Sequence, residues 1–306
     1  MRDKKQLYGM TAALLANVIF GFSFLFSKLA LSVAHPLVIL SARFTVAFVI
    51  MNIMAVLGIV KINLKGKKLG GIIAMGIAQP LCYFIFELYG LSLVSSALSG
   101  IIIALVPIAV ILISTLILKE EPTKLQWVCT AVSLTGISLI SILSNDGARS
   151  YFLGIVLLVL AVVSAAIFNI LSNNQSQSFS AFERTYVMFV IGFIGFNLIS
   201  VFVLKGEYLP SLITAFKSPS FIAAIVYLSL VSSVAAFMLY NYSTSIISAV
   251  RASAFSNIIT VVSIFAGIVI LREKFSFVEV LLCVPIILGV WGVNFKKDTK
   301  LIETSK

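Results

Sequence analysis

Ten stretches of about twenty apolar residues, parted by short polar segments, divide this chain from end to end. A helix rising about 1.5 Å per residue needs roughly that length to cross about 30 Å of hydrocarbon. The stretches are Tyr8–Val33, Pro36–Val60, Leu69–Leu91, Ser95–Leu118, Leu125–Leu143, Tyr151–Asn173, Thr185–Leu204, Phe221–Tyr242, Ser248–Leu271 and Ser276–Phe295. Each is continuously apolar rather than alternating at period two, which points to helices and not to the strands of a barrel. Composition leaves little room for another reading, since 60% of the 306 residues are apolar and only 11% are charged. A soluble chain carries about 25% charged residues, so this one cannot coat a water-exposed surface. The expected fold is an all-α membrane protein of ten transmembrane helices.

That setting changes the meaning of the net charge of +11. In a bilayer the question is which side holds the Lys and Arg residues. Ten crossings put both termini on one side, together with fourteen basic residues, including Arg2, Lys4, Lys5, Lys65, Lys67, Lys68 and Arg184; the other side receives five, Arg149, Lys205, Lys217, Arg272 and Lys274. The positive-inside rule then makes the termini cytoplasmic and the protein a multi-pass component of the cell membrane. The apolar stretch behind the basic start is too long for a signal peptide and reads as a retained first span. Cys82, Cys129 and Cys283 all lie inside apolar stretches, where a cysteine acts as a small hydrophobe and no disulfide framework or metal spacing arises.

The chain also resembles itself. At an offset of 153 residues, Ser95 through Lys119-Glu120 falls on Ser248 through Arg272-Glu273, and Gly136 falls on Gly289. Nearer the start of each half the offset becomes 145, pairing Gly9 with Gly154 and Lys28 with Asn173. Residues 1–147 and 148–306 then form two five-span units, and an odd number of spans inserts the second upside down relative to the first. Inverted repeats of this kind build a central cavity that opens to either side at similar cost.

These same residues resemble the drug/metabolite transporter superfamily, in particular its EamA branch, over essentially the whole chain. The matching pieces are Phe20-Gly21-Phe22-Ser23 with Lys28, Pro36 with Ala42-Arg43-Phe44, Ser95-Ser96-Ala97-Leu98 through Pro107 to Lys119-Glu120, and Ser248-Ala249-Val250-Arg251 to Arg272-Glu273. The resemblance implies a ten-helix fold with a central substrate cavity that exports or takes up small metabolites. The chain departs from the pattern at Phe20, where Trp is usual, at Lys119 and Arg272, where glycine often precedes the Glu, and at Thr260, which stands where the first unit has Pro107.

Charges inside a bilayer cost about 2.5–3.5 kcal/mol each on insertion scales, so they are the first candidates for function. Lys28, Arg43 and Glu87 fall in one outward layer by helical rise. Arg43 and Glu87 are candidates for a mutual pair or for a cavity wall, and Lys28 equally for snorkelling to the interface. Tyr83, Asn169, Tyr240, Asn241 and Asn257 are further cavity candidates, the aromatic ones competing with an interfacial belt. Pro80 and Pro107 are candidate gating kinks, because proline removes an N–H and clashes with the preceding turn. Glu120 and Glu273 read as structural residues of tight turns, each capping the first turn of the helix that follows.

The chain has one histidine, His35, and carries no H-E-x-x-H, P-loop or Cys/His cluster. An enzyme, a cofactor or metal site and a nucleic-acid partner therefore have no support. The partners expected are a small-molecule substrate and the lipid bilayer, with the protein a monomer or homodimer. The function expected is secondary transport of small organic metabolites, amino acids or related compounds, with export preferred and alternating access as the mechanism. Efflux of cationic amphipathic drugs, or a non-transporting membrane scaffold or sensor, are the alternatives.

Overall fold

The computed structural model describes residues 2–59, 62–118 and 148–273, with single positions at 127, 128, 131, 132, 135, 281, 284 and 288. Of the expected spans Leu125–Leu143 and Ser276–Phe295, only those single positions are described, and Glu120 lies outside the described residues. All regular structure among the described residues is helical. Eight of these helices are long and apolar enough to cross a membrane: α1 (Lys4–Leu31 within helix Arg2–Leu31), α2 (Pro36–Val56), α3 (Gly70–Leu93), α4 (Ser96–Thr115), α5 (Ser150–Gln175), α6 (the first part of Ala181–Ala215), α7 (Pro219–Thr244) and α8 (Ala249–Ile270).

Local chemistry explains the ends. His35 accepts the N–H of Leu37, and Pro36 starts α2 at a position where its missing N–H costs nothing. The α6 helix, Ala181–Leu204, starts before the expected Thr185 because Ser180 and Glu183 form a reciprocal capping box, the Ser180 hydroxyl accepting Glu183 N–H at 3.2 Å and the carboxylate accepting Ser180 N–H at 2.9 Å. Beyond α6 the expected outer loop holds a short helix, Tyr208–Ala215, whose Tyr208 hydroxyl donates to Asn197 at 2.9 Å.

Several helices are interrupted midway. In α3 the backbone leaves helical geometry at Gln79 (φ −147°, ψ 118°), followed by a cis bond to Pro80. The centre of α7, Tyr227–Ala235, takes the wider π form. The α4 helix divides into Ser96–Ile103 and Val106–Leu118, with Pro107 as second residue of the new segment rather than a kink inside one helix.

The described helices share one apolar core, in which Phe44, Phe168, Phe189, Phe196 and Phe237 are at most 1% exposed. The C-terminal part of α3, Tyr83–Leu93, packs on α5, and the C-terminal part of α7, Ala236–Thr244, packs on α1. Likewise α2 packs on Tyr227–Ala235 of α7, and α6 on Ile77–Cys82 of α3. The α3–α5 crossing is close because Gly90 and Gly154 face each other. A Cβ on Gly90 would lie 3.1 Å from the Gly154 carbonyl oxygen, and one on Gly154 would lie 2.8 Å from Val94 Cγ1.

Candidate functional site

A cavity of about 60 Å³ lies where these helices meet. Asn17, Phe20, Ser23 and Phe24 come from α1, Arg43 from α2, and Gln79, Tyr83, Phe84 and Glu87 from α3. The rest of the lining comes from Ile103 and Val106 of α4, Ala165, Phe168 and Asn169 of α5, Ser232, Phe237 and Tyr240 of α7, and Ser256 and Ile259 of α8. The break at Gln79–Pro80 brings Gln79 to this wall, so the expected kink at Pro80 sits beside the cavity while Pro107 does not line it.

Arg43 is 2% exposed, and among the described residues no carboxylate lies within 4.0 Å of its guanidinium. Its Nε donates to Ser233 Oγ at 2.9 Å and its Nη2 to Ser232 Oγ at 3.1 Å, while the guanidinium lies 4.2 Å from the centroid of the Phe84 ring. Ser232 also hydrogen-bonds Ser23 of α1 at 2.8 Å. Glu87 is 4% exposed, and its Oε2 has no hydrogen-bond partner among the described residues. Of the two readings of Arg43 and Glu87, a mutual pair or a cavity wall, both residues line one cavity and no ion pair joins them among the described residues; the two serine hydroxyls of α7 occupy the arginine. Elsewhere on the lining the Tyr240 hydroxyl donates to Asn169 Oδ1, and Asn169 Nδ2 donates to the Ala165 carbonyl at 2.8 Å.

Three expected site residues lie elsewhere. Lys28 is half-buried at an open groove it shares with His35, Tyr89 and Ser92, and its Nζ donates to the Val94 carbonyl at 2.6 Å. Asn257 is half-buried off the cavity, whereas its neighbour Ser256 lines it. Asn241 belongs to a separate buried network centred on Arg184, which the sequence reading assigns to a cytoplasmic loop. Arg184 is 0% exposed; its Nη1 donates to Ser172 O at 2.6 Å, Ser172 Oγ at 2.7 Å and Thr244 Oγ1 at 3.0 Å, and its Nη2 to Asn241 O and Ser245 Oγ. The Ser180-to-Glu183 capping pattern was the signal that places residue 184 inside a helix.

Glu273 caps the start of α4, and the helix expected to follow it lies outside the described residues. Its carboxylate accepts Ser96 N–H at 3.0 Å, Ser96 Oγ–H at 2.6 Å and Ala97 N–H at 3.4 Å, satisfying the free donors at the start of α4. At the other end of the molecule Glu183 accepts Lys67 Nζ and Asn63 N–H, each at 2.9 Å, which docks the loop after α2 onto the start of α6.

Matched contacts recur at the two sequence offsets. Lys28 donates to Val94 O, and Asn173 donates to Ile247 O at 3.3 Å. Ser95 accepts Leu98 N–H at 3.1 Å, and Ser248 accepts Arg251 N–H at 3.4 Å.

The fold and site define a multi-pass helical membrane protein with a small, aromatic-walled cavity that holds two charged side chains. The EamA-like transporter family model matches residues 7–142 and again 152–295, and the chain belongs to that family. The uncharacterized transporter YcxC of Bacillus subtilis (strain 168) is 36% identical, over 98% of this chain and 97% of its own length. An uncharacterized transporter of Archaeoglobus fulgidus is 26% identical over 90% of this chain and 95% of its own. A solved crystal structure at 17% identity superposes with a TM-score of 0.60 over 96% of this chain and 98% of that one, a likeness of fold.

Proposed function

We propose that this protein is a secondary transporter of the cell membrane that exports small organic metabolites, amino acids or related compounds, by alternating access. It crosses the membrane ten times as two inverted five-helix units, residues 1–147 and 148–306, with both termini in the cytoplasm. It works as a monomer or homodimer.

The observation that carries this reading is the central cavity. Buried charge in a bilayer is costly and persists where it faces a pathway, and here Arg43 and Glu87 face a cavity lined from both halves of the chain. Aromatic and polar groups both line it, which suits a solute with an apolar body and a polar head. The two separate family matches and the paired contacts of Lys28 with Val94 and Asn173 with Ile247 support the two-unit arrangement. Units of opposite orientation can exchange conformations and so open one cavity to each face in turn.

The test is exchange in proteoliposomes loaded with labelled amino acids, aliphatic amines and lipophilic cations. Saturable counterflow that is lost in Glu87→Gln supports the reading. An intact, folded preparation that exchanges none of these solutes overturns transport in favour of a scaffold.

A further inference from the structure

We propose that the cavity receives an organic cation, an ammonium head on an apolar body, at the Glu87 carboxylate, and that Ser232 and Ser233 keep this carboxylate free by holding Arg43 away from it. This rests on reading the cavity as the transport site and specifies which charge the site accepts.

A carboxylate and a guanidinium sharing a low-dielectric space ordinarily close into a short, often two-pronged pair, because the attraction of opposite charges, strong at low dielectric, adds to their hydrogen bonds. Here they do not close. Two guanidinium nitrogens of Arg43 donate instead to consecutive hydroxyls of the π-form segment Tyr227–Ala235, and its flat face rests on Phe84. Ser232 is itself fixed by Ser23, so the clamp is tied to α1 as well as α7. Glu87 consequently keeps a buried oxygen with no donor, a state that costs free energy until a cation supplies one. Phe20, Phe24, Phe168 and Phe237 stand around the same space. Aromatic faces attract cations and bury apolar carbon, so they favour an organic ammonium over a small inorganic ion. A carboxylate-headed ligand meets the unneutralised Glu87 and an arginine whose Nε and Nη2 are already engaged.

Ser232 and Ser233 act on the ligand through Arg43, which makes them positioning residues, and epistasis separates that role from a merely structural one. The experiment is calorimetric titration of the purified full-length protein in detergent with two probes of like body and opposite head, 2-phenylethylamine and 3-phenylpropionate. The amine binds at least about 10-fold more tightly than the acid, and Glu87→Gln weakens it by roughly 10- to 100-fold. The double variant S232A/S233A weakens it comparably, because the released Arg43 closes on Glu87, and adding Arg43→Gln to that double variant restores amine binding. Should the serine double variant fail to fold, Arg43→Gln alone decides, since removing the neighbouring positive charge tightens amine binding several-fold.

Four results overturn the inference: neither probe binding, the acid binding as tightly as the amine, Arg43→Gln losing amine affinity as Glu87→Gln does, or no rescue in a folded triple variant. Failure of the transport reading looks different, since the amine then binds with this full pattern while no solute crosses the vesicle membrane.

Discussion

Replacing Glu273 by alanine removes the contact that ties the end of α8 to the start of α4. Its carboxylate accepts two backbone N–H groups and one hydroxyl, from Ser96 at 3.0 Å and 2.6 Å and from Ala97 at 3.4 Å. Loss of a helix cap costs about 0.5–2 kcal/mol. Loss of a negative charge at a helix N-terminus adds about 0.3–1 kcal/mol, discounted because Glu273 is only half-buried. The expected cost of Glu273→Ala is therefore about 1–3 kcal/mol. Glu273→Gln keeps an acceptor oxygen and costs about half as much. The measurement is reversible unfolding of the purified protein in mixed micelles, with Ser96→Ala as the second arm of a double-mutant cycle. Ser96 and Glu273 share a hydrogen bond, so their losses couple by about 0.5 kcal/mol or more. A Glu273→Ala protein within about 0.5 kcal/mol of the parent, or losses additive with Ser96→Ala, refutes the cap.

Arg272 has φ 54°, in the left-handed region, where the chain turns out of α8 and Glu273 N–H returns to Gly267 O at 3.0 Å. Arg272→Gly removes a strain of about 1–2 kcal/mol and gives back about 0.5–1 kcal/mol in unfolded-state entropy, so the melting temperature rises; a fall refutes the assignment of strain. Arg184→Ala opens a cavity and leaves several buried acceptors of α5 and α7 short of a donor, costing about 3 kcal/mol or more and seen as loss of monodisperse protein on gel filtration. A loss below about 1 kcal/mol shows that the network is not needed for folding. For orientation, a cysteine at exposed Gly66 is shielded from impermeant thiol reagents in intact cells and one at exposed Gly206 reacts; the reverse pattern inverts the topology.

Hydropathy made the spans legible, since burial in lipid demands the same length of apolar chain whatever its neighbours do. The described helices follow the expected stretches closely, and the departures have local causes. The start of α6 moved because Ser180 and Glu183 cap each other, a pattern written in the sequence but hidden from a hydropathy reading, which stops at the first charge. The division of α4 before Pro107 and the excursion at Gln79 are visible in the sequence only as proline positions. How far the chain departs there depends on what packs beside it. The partner of Glu273 was out of reach for a related reason. Helix ends have open donors and carboxylates seek them, yet the donor chosen is 177 residues away and is brought close only by the packed fold.

The site shows where helical rise stops being informative. Depth is one coordinate, and it puts Lys28, Arg43 and Glu87 in one layer. Rotation about the helix axis is the other, and packing sets it. Arg43 and Glu87 turn to the cavity, while Lys28 turns to the end of α3 and takes the Val94 carbonyl. Opposite charges at equal depth kept a pair open beside the cavity role, because in a dry site Coulomb attraction exceeds a hydroxyl bond at equal distance. The distances are not equal. The π-form segment Tyr227–Ala235 packs on α2 and sets Ser232 and Ser233 within 3.1 Å of the guanidinium, while Phe84 holds its face. Moving the arginine to Glu87 would break two hydrogen bonds and a cation–π contact to form one ion pair, each side worth a few kcal/mol. That near balance makes the location of the charge sensitive to single hydroxyls, and no hydropathy or spacing rule weighs single hydroxyls.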